Sequence, residues 1–252
     1  MYRRIALLFA AVVVLTATRT PAADPPAATG DVMVFAAASL TDAFGEIARL
    51  YESQHAGSKI TFNFAGSQQL VAQILQDAPA DVFASASGAQ MKRVTDAKLA
   101  SATPSVFARN RLEIAVEPGN PKKIAQLADL ARDGLVVVLA AEEVPAGKYA
   151  REALKKAGVT VKPASLETDV RAVLSKVMLG EADAGIVYHS DVVAAGDKVV
   201  AVAIPAEQNV IASYPIAALA HAPHAEAAKA FVALVRSAAG REILAKFGFA
   251  AP

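Results

Sequence analysis

Residues 32–44, VMVFAAASLTDAF, predict a buried strand that runs directly into a helix. The stretch opens with four apolar residues, a length and composition typical of a strand that is buried on both faces. Three alanines follow the strand. The apolar positions beyond them fall on one face of a helix, at Phe44, Ile47, Ala48 and Tyr51. A strand, a junction of small residues and a helix N-terminus are therefore expected in direct succession.

The junction in this stretch has the chemistry of an anion site. Ser39, Thr41 and Asp42 place two hydroxyls and a carboxylate in the first helical turn, and the alanines before it allow a ligand to approach the backbone. A helix N-terminus presents unpaired N–H donors and about half a positive charge, and this combination attracts anions. By itself the junction is more typical of an ordinary N-terminal cap, so its interpretation depends on the rest of the chain.

The N-terminal residues predict export. A basic start, an apolar run over residues 5–15 and small residues before the end are the pattern of a secretory signal peptide over residues 1–23. Residues 24–30 indicate a Pro/Ala linker. The apolar run is too short to span a membrane, and the sequence contains no cysteine for a lipid anchor or a disulfide. We therefore expect a soluble periplasmic protein with no stable membrane insertion after signal cleavage.

Basic and acidic residues nearly balance. The chain carries 25 Lys and Arg against 24 Asp and Glu, and without residues 1–23 it retains 22 against 24, a net charge of −2. This balance does not suggest a nucleic-acid or membrane-surface partner, so an anion would have to be held by local donors. The length suits one large or two small domains, and the 54% of hydrophobic residues can fill a substantial core.

Strand-like and helix-like segments alternate along the chain, which predicts an α/β fold with largely parallel sheets. Further strands are expected at residues 59–64, 80–84, 112–116, 135–139, 184–187, 199–204 and 215–220. Helices are expected over residues 149–157, 169–179 and 225–247, the last with a break near Gly240.

Four later junctions repeat the chemistry of the first. They lie at residues 65–67, 144–147, 166–170 and 184–188. Ser67 and Thr168 are the expected helix caps, the N–H of Val170 falls in a first helical turn, and Tyr188 brings a phenol to a strand end. Open α/β sheets bind ligands beyond the carboxyl ends of their strands. If the junctions share one cleft, four helix N-termini of about +0.5 each sum to roughly +2, enough for a dianion without lysine or arginine.

Seven motifs in register resemble the periplasmic molybdate-binding proteins of ABC transporters, the ModA family. They are FAAASLTDAF, FAGSQQL, ADVFASAS, VPAGKYAREAL, TDVRAVL, GEADAGIVYHSD and GREILAKFGF. The resemblance covers nearly all of the chain after Gly30. It implies a two-lobed periplasmic binding protein of type II, in which each lobe is a mixed, mostly parallel sheet flanked by helices and the ligand cleft lies between the lobes. The implied lobes are residues 31–108 with 212–252, and residues 109–211.

The resemblance also implies a ligand, tetrahedral molybdate or tungstate, and a role for each junction. Ser39 and Ser67 would donate hydroxyl and backbone N–H bonds from the first lobe. Ala146 and Val170 would donate backbone N–H bonds from the second lobe, and Tyr188 would donate its phenol. The implied protein is a monomer without a cofactor, and its partners are the permease and ATPase subunits of a molybdate importer.

Two positions depart from the family pattern. Gly66 stands where some relatives carry another serine, and the acidic pair Glu142 and Glu143 replaces an Asp-Pro turn close to Ala146. The acidic pair could weaken the contact of Ala146 with an anion, or it could face solvent.

A secreted serine hydrolase is the first alternative, because two serines, histidines and acids are present. Neither serine lies in a G-x-S-x-G or S-x-x-K motif, and His189 is expected on the face of its strand opposite to Tyr188. No nucleophile, base and orienting group can be combined, so we do not expect an enzyme. His221 and His224 have a loosely metal-like spacing but lie in a predicted loop, and we expect no direct metal ligands.

A binding protein for another oxyanion, such as sulfate or phosphate, is the second alternative. Related folds serve many ligands, so the fold does not decide. The proposed groups all donate hydrogen bonds, which favours a fully deprotonated oxyanion over one that carries a proton. Arg171 follows Val170 but is not at an expected ligating position. The choice of molybdate comes from the family resemblance alone, and tungstate is not separated from it.

Overall fold

The computed structural model describes residues 30–252, so the predicted signal peptide and all but the last residue of the predicted linker lie outside the described residues. Two five-stranded sheets organise the described chain. Their strands are β1 (Val32–Ala37), β2 (Ile60–Ala65), β3 (Val82–Ala84), β4 (Ser105–Asn110), β5 (Leu112–Val116), β6 (Val137–Ala140), β7 (Ser165–Glu167), β8 (Ala184–Tyr188), β9 (Val200–Ala203) and β10 (Ala212–Ala218).

Helices flank both sheets. They are α1 (Thr41–Gln54), α2 (Ser67–Ile74), α3 (Gly88–Asp96), α4 (Pro145–Lys156), α5 (Val170–Met178), α6 (His189–Ala195), α7 (Ala225–Arg236) and α8 (Ala238–Lys246). Within residues 30–252 we find no helix that is both long and apolar enough to cross a membrane.

The two sheets share one pattern of strand directions. The first sheet has the order β2-β1-β3-β10-β4, and only its fourth strand, β10, runs antiparallel to its neighbours. The second sheet has the order β7-β6-β8-β5-β9, and again the fourth strand, β5, is antiparallel to both neighbours. Each sheet with its helices forms one lobe. The predicted two-lobed α/β fold with mixed, mostly parallel sheets is therefore confirmed.

The chain passes between the sheets at two neighbouring points. A single residue, Arg111, separates β4 of the first sheet from β5 of the second, and residues 204–211 lead from β9 back to β10. Asn209 ties these crossings together, because its side chain accepts a hydrogen bond from Leu112 N at 3.0 Å and donates one to Leu112 O at 2.9 Å. The exact lobe boundaries given above stay a prediction.

The helix predicted after Ser39 forms with the expected buried face. Phe44, Ile47, Ala48 and Tyr51 are all buried. The ring of Phe44 packs against those of Phe62, Phe107 and Phe231 at centroid distances of 6.2, 5.8 and 5.9 Å. This aromatic cluster lies beneath the first turn of α1 and anchors it to the sheet, which fixes the position of the junction that precedes it.

The structure refines the predicted elements. The break predicted near Gly240 lies at Ser237, because the Ser237 hydroxyl accepts the Gly240 N–H at 3.1 Å and caps a new helix, α8. Strands β4 and β7 and helix α6 were not predicted from the sequence. The three residues of β7 are too few to show a period, and the short α6 follows the strand β8 without a break.

The start of α4 depends on a glycine, which gives the first testable prediction. An ideal Cβ on Gly147 would overlap the carbonyl oxygens of Ala140 and Ala141, whereas one on Gly45, inside α1, would meet only the tip of Arg49 at 4.0 Å. We expect Gly147→Ala to lower the free energy of unfolding by about 1–3 kcal/mol through overpacking. The matched change Gly45→Ala should instead raise it by up to about 1 kcal/mol, because alanine is the better helix former.

Urea unfolding of both variants measures the difference. Equal stability of the two variants would contradict the close approach of α4 to the end of β6.

Candidate anion-binding site

All five predicted site residues line one narrow cleft between the two sheets, in which about 10 Å³ is open to the centre of a water-sized sphere. Each is at most 4% exposed. Their positions are Ser39 in the turn after β1, Ser67 at the start of α2, Ala146 in the first turn of α4, Val170 at the start of α5 and Tyr188 at the end of β8. The first two belong to the first lobe and the other three to the second. The cleft is therefore formed by both lobes together.

Helix N-termini converge on this cleft. A 3-10 turn at residues 38–40 leads into α1, and α2, α4 and α5 each begin with residues that line the cleft. The first N–H groups of a helix have no partner within it, and each N-terminus carries about half a positive charge. The structure therefore brings these helix N-termini to one cleft, as predicted.

The start of α2 differs from the prediction in its cap. Gly66, and not Ser67, occupies the N-cap position, so the Ser67 hydroxyl is not consumed by capping. Instead, Ser67 Oγ accepts the backbone N–H of Ala86 at 3.1 Å. An ideal Cβ on Gly66 would lie 2.7 Å from the carbonyl oxygen of Thr168. A glycine at this position therefore permits the close approach of the two lobes.

The start of α5 is also capped differently. Asp169, and not Thr168, is the N-cap, and its Oδ1 accepts the N–H groups of Arg171 and Ala172 at 2.8 and 3.0 Å. The Asp169 side chain does not accept the N–H of Val170, the first helical residue. Val170 lines the cleft. The predicted role of that N–H as a donor is therefore compatible with the observed cap.

Tyr188 presents a buried phenol. Its hydroxyl has no hydrogen-bond partner of standard geometry within residues 30–252, and its backbone N–H donates to Asp191 Oδ2 at 3.0 Å. Burial, followed by the nearby Tyr214, Tyr149 and Asp191, raises the pKa of the phenol well above its ordinary value. Tyr188 is therefore a neutral donor throughout the physiological pH range.

Among residues 30–252, no lysine or arginine lines the cleft. The one charged side chain in its lining is that of Asp169. Arg171 is directed elsewhere. Its Nη2 lies 2.5 Å from Asp42 Oδ2 in the first lobe, and its Nε lies 2.8 Å from Oδ1 of the fully buried Asp191 in the second. A further contact between the lobes is the 3.0 Å hydrogen bond from Gln68 Nε2 to Thr168 O. Arg171 therefore joins the lobes beside the cleft.

Residues that the sequence analysis set aside lie outside the cleft lining. Glu142 and Glu143 are exposed to solvent. His189 begins α6 instead of continuing the strand, and its Nδ1 lies 3.0 Å from Glu113 Oε1. Within residues 30–252 we find no group of three or more His, Cys, Asp or Glu side chains that could hold a metal ion.

The sequence analysis missed two groups that contact the predicted donors. Ala86 supplies the N–H behind Ser67, and Tyr214 Oη lies 2.9 Å from Ser39 Oγ. The motif ADVFASAS gave a signal for the first, because it places a small-residue turn after a strand. The position of Tyr214 depends on the pairing of β10 with β4, more than 100 residues away, and has no local signal.

Asp191 gives a testable dependence of stability on pH. Burial raises its pKa to about 6, although Arg171 and the Tyr188 N–H oppose the shift. The native state therefore binds a proton that an unfolded aspartate, with a pKa near 3.9, releases. The stability from this group is complete below about pH 4 and lost as the pH rises through 6. From pH 7 to pH 5, the wild type should gain roughly 1–1.5 kcal/mol relative to Asp191→Asn.

Urea unfolding of the ligand-free proteins at both pH values measures this gap. The ion pair with Arg171 that Asp191→Asn removes adds an offset, so the change of the gap with pH is the readout. A gap that moves in favour of the Asn variant as the pH falls would contradict the raised pKa.

Three comparisons place this architecture among known proteins. The protein named molybdate-binding protein ModA from Mycobacterium tuberculosis is 41% identical over 251 residues, which cover 98% of this chain and 96% of that one. The periplasmic molybdate-binding protein of Azotobacter vinelandii has a TM-score of 0.76 at 19% identity, covering 88% and 99% of the two chains. The sulfate-binding protein SubI of Mycobacterium tuberculosis also has a TM-score of 0.76 at 19% identity, covering 87% and 86%. At that identity, the two structures show the shared fold only.

The family match covers almost all of the described chain. A family model described as bacterial extracellular solute-binding protein matches residues 32–250. This range includes both sheets and all five residues of the predicted site. The chain therefore belongs to the bacterial extracellular solute-binding proteins and, within them, to the ModA family.

Proposed function

We propose that this protein captures molybdate between its two lobes in the periplasm and delivers it to the permease and ATPase of an ABC importer. One observation carries the proposal: five groups able to donate hydrogen bonds line a single buried cleft that has no lysine or arginine in its lining among residues 30–252. The relatives named molybdate-binding protein ModA support the choice of ligand. As a solute-binding protein, the chain is not an enzyme.

The donors suit a fully deprotonated oxyanion. Ser39 and Ser67 offer hydroxyls, Ala146 and Val170 offer backbone N–H groups, and Tyr188 offers a phenol that burial keeps protonated. Hydrogen bonds to an ionised acceptor are roughly twice as strong as those between neutral groups, and helix N-termini add fixed partial charge. The dianion is thereby neutralised without a cationic side chain.

The size of the cleft supports a small inorganic anion. The volume open to the centre of a water-sized sphere is about 10 Å³, far below the roughly 300–1,000 Å³ typical of sites for drug-sized organic ligands. Asp169 brings the one carboxylate of the lining, and its Oδ1 is turned onto the helix N–H groups that it caps. That orientation moves part of its negative charge away from the cleft centre.

Sulfate and phosphate remain the alternative ligands, with tungstate beside molybdate. The same fold occurs in a neighbour named for sulfate and in one named for molybdate, so the fold does not choose between these anions. A hydrolase is disfavoured by the partners of the serines, which are the Tyr214 hydroxyl and the Ala86 N–H in place of a histidine base. We propose a monomer without a cofactor.

A direct comparison of anions tests the proposed ligand. Calorimetric titration at pH 7 should give molybdate and tungstate affinities on the order of 100-fold higher than those of sulfate and phosphate, equivalent to about 2.7 kcal/mol. The expected cause is the fit of the larger tetrahedral dianion to five donors. Sulfate binding as tight as molybdate binding would contradict the molybdate assignment and leave the fold intact.

Replacing individual donors tests their roles. Ser39→Ala and Ser67→Ala should each weaken molybdate binding by about 1.5–3 kcal/mol, the usual value of a hydrogen bond to a charged group. Val170→Ala is the matched control, because it removes side-chain atoms at the cleft but retains the backbone N–H, and its affinity should stay within about 0.5 kcal/mol of the wild type. If Val170→Ala loses as much affinity as Ser39→Ala, the assignment of a backbone donor is wrong.

A further inference from the structure

We infer that Tyr214 is a positioning residue that fixes the Ser39 hydroxyl as a donor toward the cleft and so makes the site reject anions that carry a proton. The inference rests on the proposed function, since it concerns the polarity of the same anion site. It adds a specificity determinant that does not itself line the cleft.

Tyr214 lies directly behind Ser39. It is fully buried on β10, and its Oη lies 2.9 Å from Ser39 Oγ. Its ring is held edge-on by those of Phe107, Tyr188 and Phe249, at centroid distances of 6.3, 5.9 and 5.3 Å. The phenol therefore has little freedom to leave the serine.

The direction of the hydrogen bond between Tyr214 and Ser39 follows from the group behind the phenol. The Asn110 amide is oriented by Arg111, whose backbone N–H donates to Asn110 Oδ1 at 3.0 Å. Asn110 Nδ2 therefore faces the interior as a donor, where it donates to Ser190 Oγ at 2.8 Å, and it lies near enough to lower the pKa of the Tyr214 phenol. The Tyr214 hydroxyl therefore has a donor group on this side, which favours a proton that points away from Asn110.

Ser39 Oγ is the acceptor for that proton, because it is the one hydrogen-bond partner of standard geometry for the Tyr214 hydroxyl among residues 30–252 and a buried phenol O–H needs an acceptor. Burial raises the pKa of Tyr214 far above its ordinary value, so the phenol keeps its proton. Once Ser39 Oγ accepts from Tyr214, the serine proton must point elsewhere, and the cleft is the direction that remains on a side chain that lines it. Tyr214 and Ser39 then form a chain in which each hydroxyl donates toward the ligand.

Ser67 is polarised in the same way by a different donor. Its Oγ accepts the Ala86 N–H at 3.1 Å, which directs the Ser67 proton away from Ala86. Both serines of the first lobe therefore have a donor behind them and act as donors in front. Sulfate and molybdate, which are fully deprotonated at neutral pH, can accept from every such group. Hydrogen phosphate must also donate one proton, and a serine whose own proton points at the ligand does not turn its remaining lone pair toward the same ligand oxygen.

A double-mutant cycle tests whether Tyr214 acts through Ser39. Tyr214→Phe retains the ring and removes the hydroxyl. In the wild-type background it should weaken molybdate binding roughly tenfold, because the Ser39 proton is no longer directed. In the Ser39→Ala background the same change should weaken binding less than about twofold. Equal losses in both backgrounds would overturn the inference.

A second readout separates polarity from packing. At pH 8, Tyr214→Phe should lower the ratio of molybdate to phosphate affinity by roughly tenfold, because an undirected Ser39 hydroxyl can accept the phosphate proton. Tyr51→Phe is the matched control, since it removes another buried phenol, one that donates to Ala227 O at 3.3 Å in the first lobe, and should leave the ratio unchanged. A parallel loss for both anions in Tyr214→Phe would mean that Tyr214 only supports the fold.

Two outcomes outside this plan remain informative. If the wild type binds sulfate or phosphate in preference to molybdate, the proposed ligand is wrong, and the same cycle with that anion still decides the role of Tyr214. If Tyr214→Phe does not fold, Asn110→Asp replaces the donor behind the phenol with an acceptor of the same shape. It should then cause the roughly tenfold loss in the wild-type background and not in Ser39→Ala, and additive losses would overturn the inference.

Discussion

The structure depends on one electrostatic constraint: an anion in a closed cleft must be met by donors that are fixed before it arrives. A charged ligand that loses its water needs compensating hydrogen bonds, and the cleft lining within residues 30–252 offers no lysine or arginine to provide them. Helix N-termini at the carboxyl ends of the strands satisfy the constraint, because their first N–H groups are unpaired by construction. The two sheets, the small-residue junctions and the capping pattern all serve to bring these N-termini to one point.

Hydrogen-bond donors can bind an anion only if they are not already bonded within the protein, and the surrounding residues keep the proposed donors available. Asp169 caps α5 by accepting its second and third N–H groups, and its side chain does not accept the N–H of Val170. Gly66, and not Ser67, is the N-cap of α2. The Ser67 hydroxyl oxygen accepts the N–H of Ala86. Arg171, the nearest cation in the sequence, is held by Asp42 and Asp191. The polarity of the cleft is therefore set by a second layer of residues.

The sequence predicted the parts of the site that local patterns can encode. The strand, junction and helix around Ser39 are visible in residues 32–44, and the buried face of α1 follows from helical spacing alone. The caps were misplaced by one residue, because Thr168 and Asp169, or Gly66 and Ser67, are adjacent residues of suitable type and only the backbone geometry chooses between them. Tyr214 and Asn110 were missed for a different reason. Tyr214 meets Ser39, and Asn110 lies near Tyr214, only through the pairing of β10 with β3 and β4. Such long-range pairing leaves no periodic signal in either segment.

The division of donors between the lobes explains how a tightly held anion can also be released. In the proposed site the first lobe contributes Ser39 and Ser67 and the second contributes Ala146, Val170 and Tyr188, so separation of the lobes would divide the donor set and leave neither half with the full compensation of charge. Direct contacts between the lobes that oppose separation include the Asp42–Arg171 pair and the Gln68–Thr168 hydrogen bond. Both involve partly exposed side chains, and exposed ion pairs contribute only about 0–1 kcal/mol. A ligand shifts an equilibrium between open and closed forms by its differential affinity for the closed form, so an anion bound to donors of both lobes would stabilise the closed form.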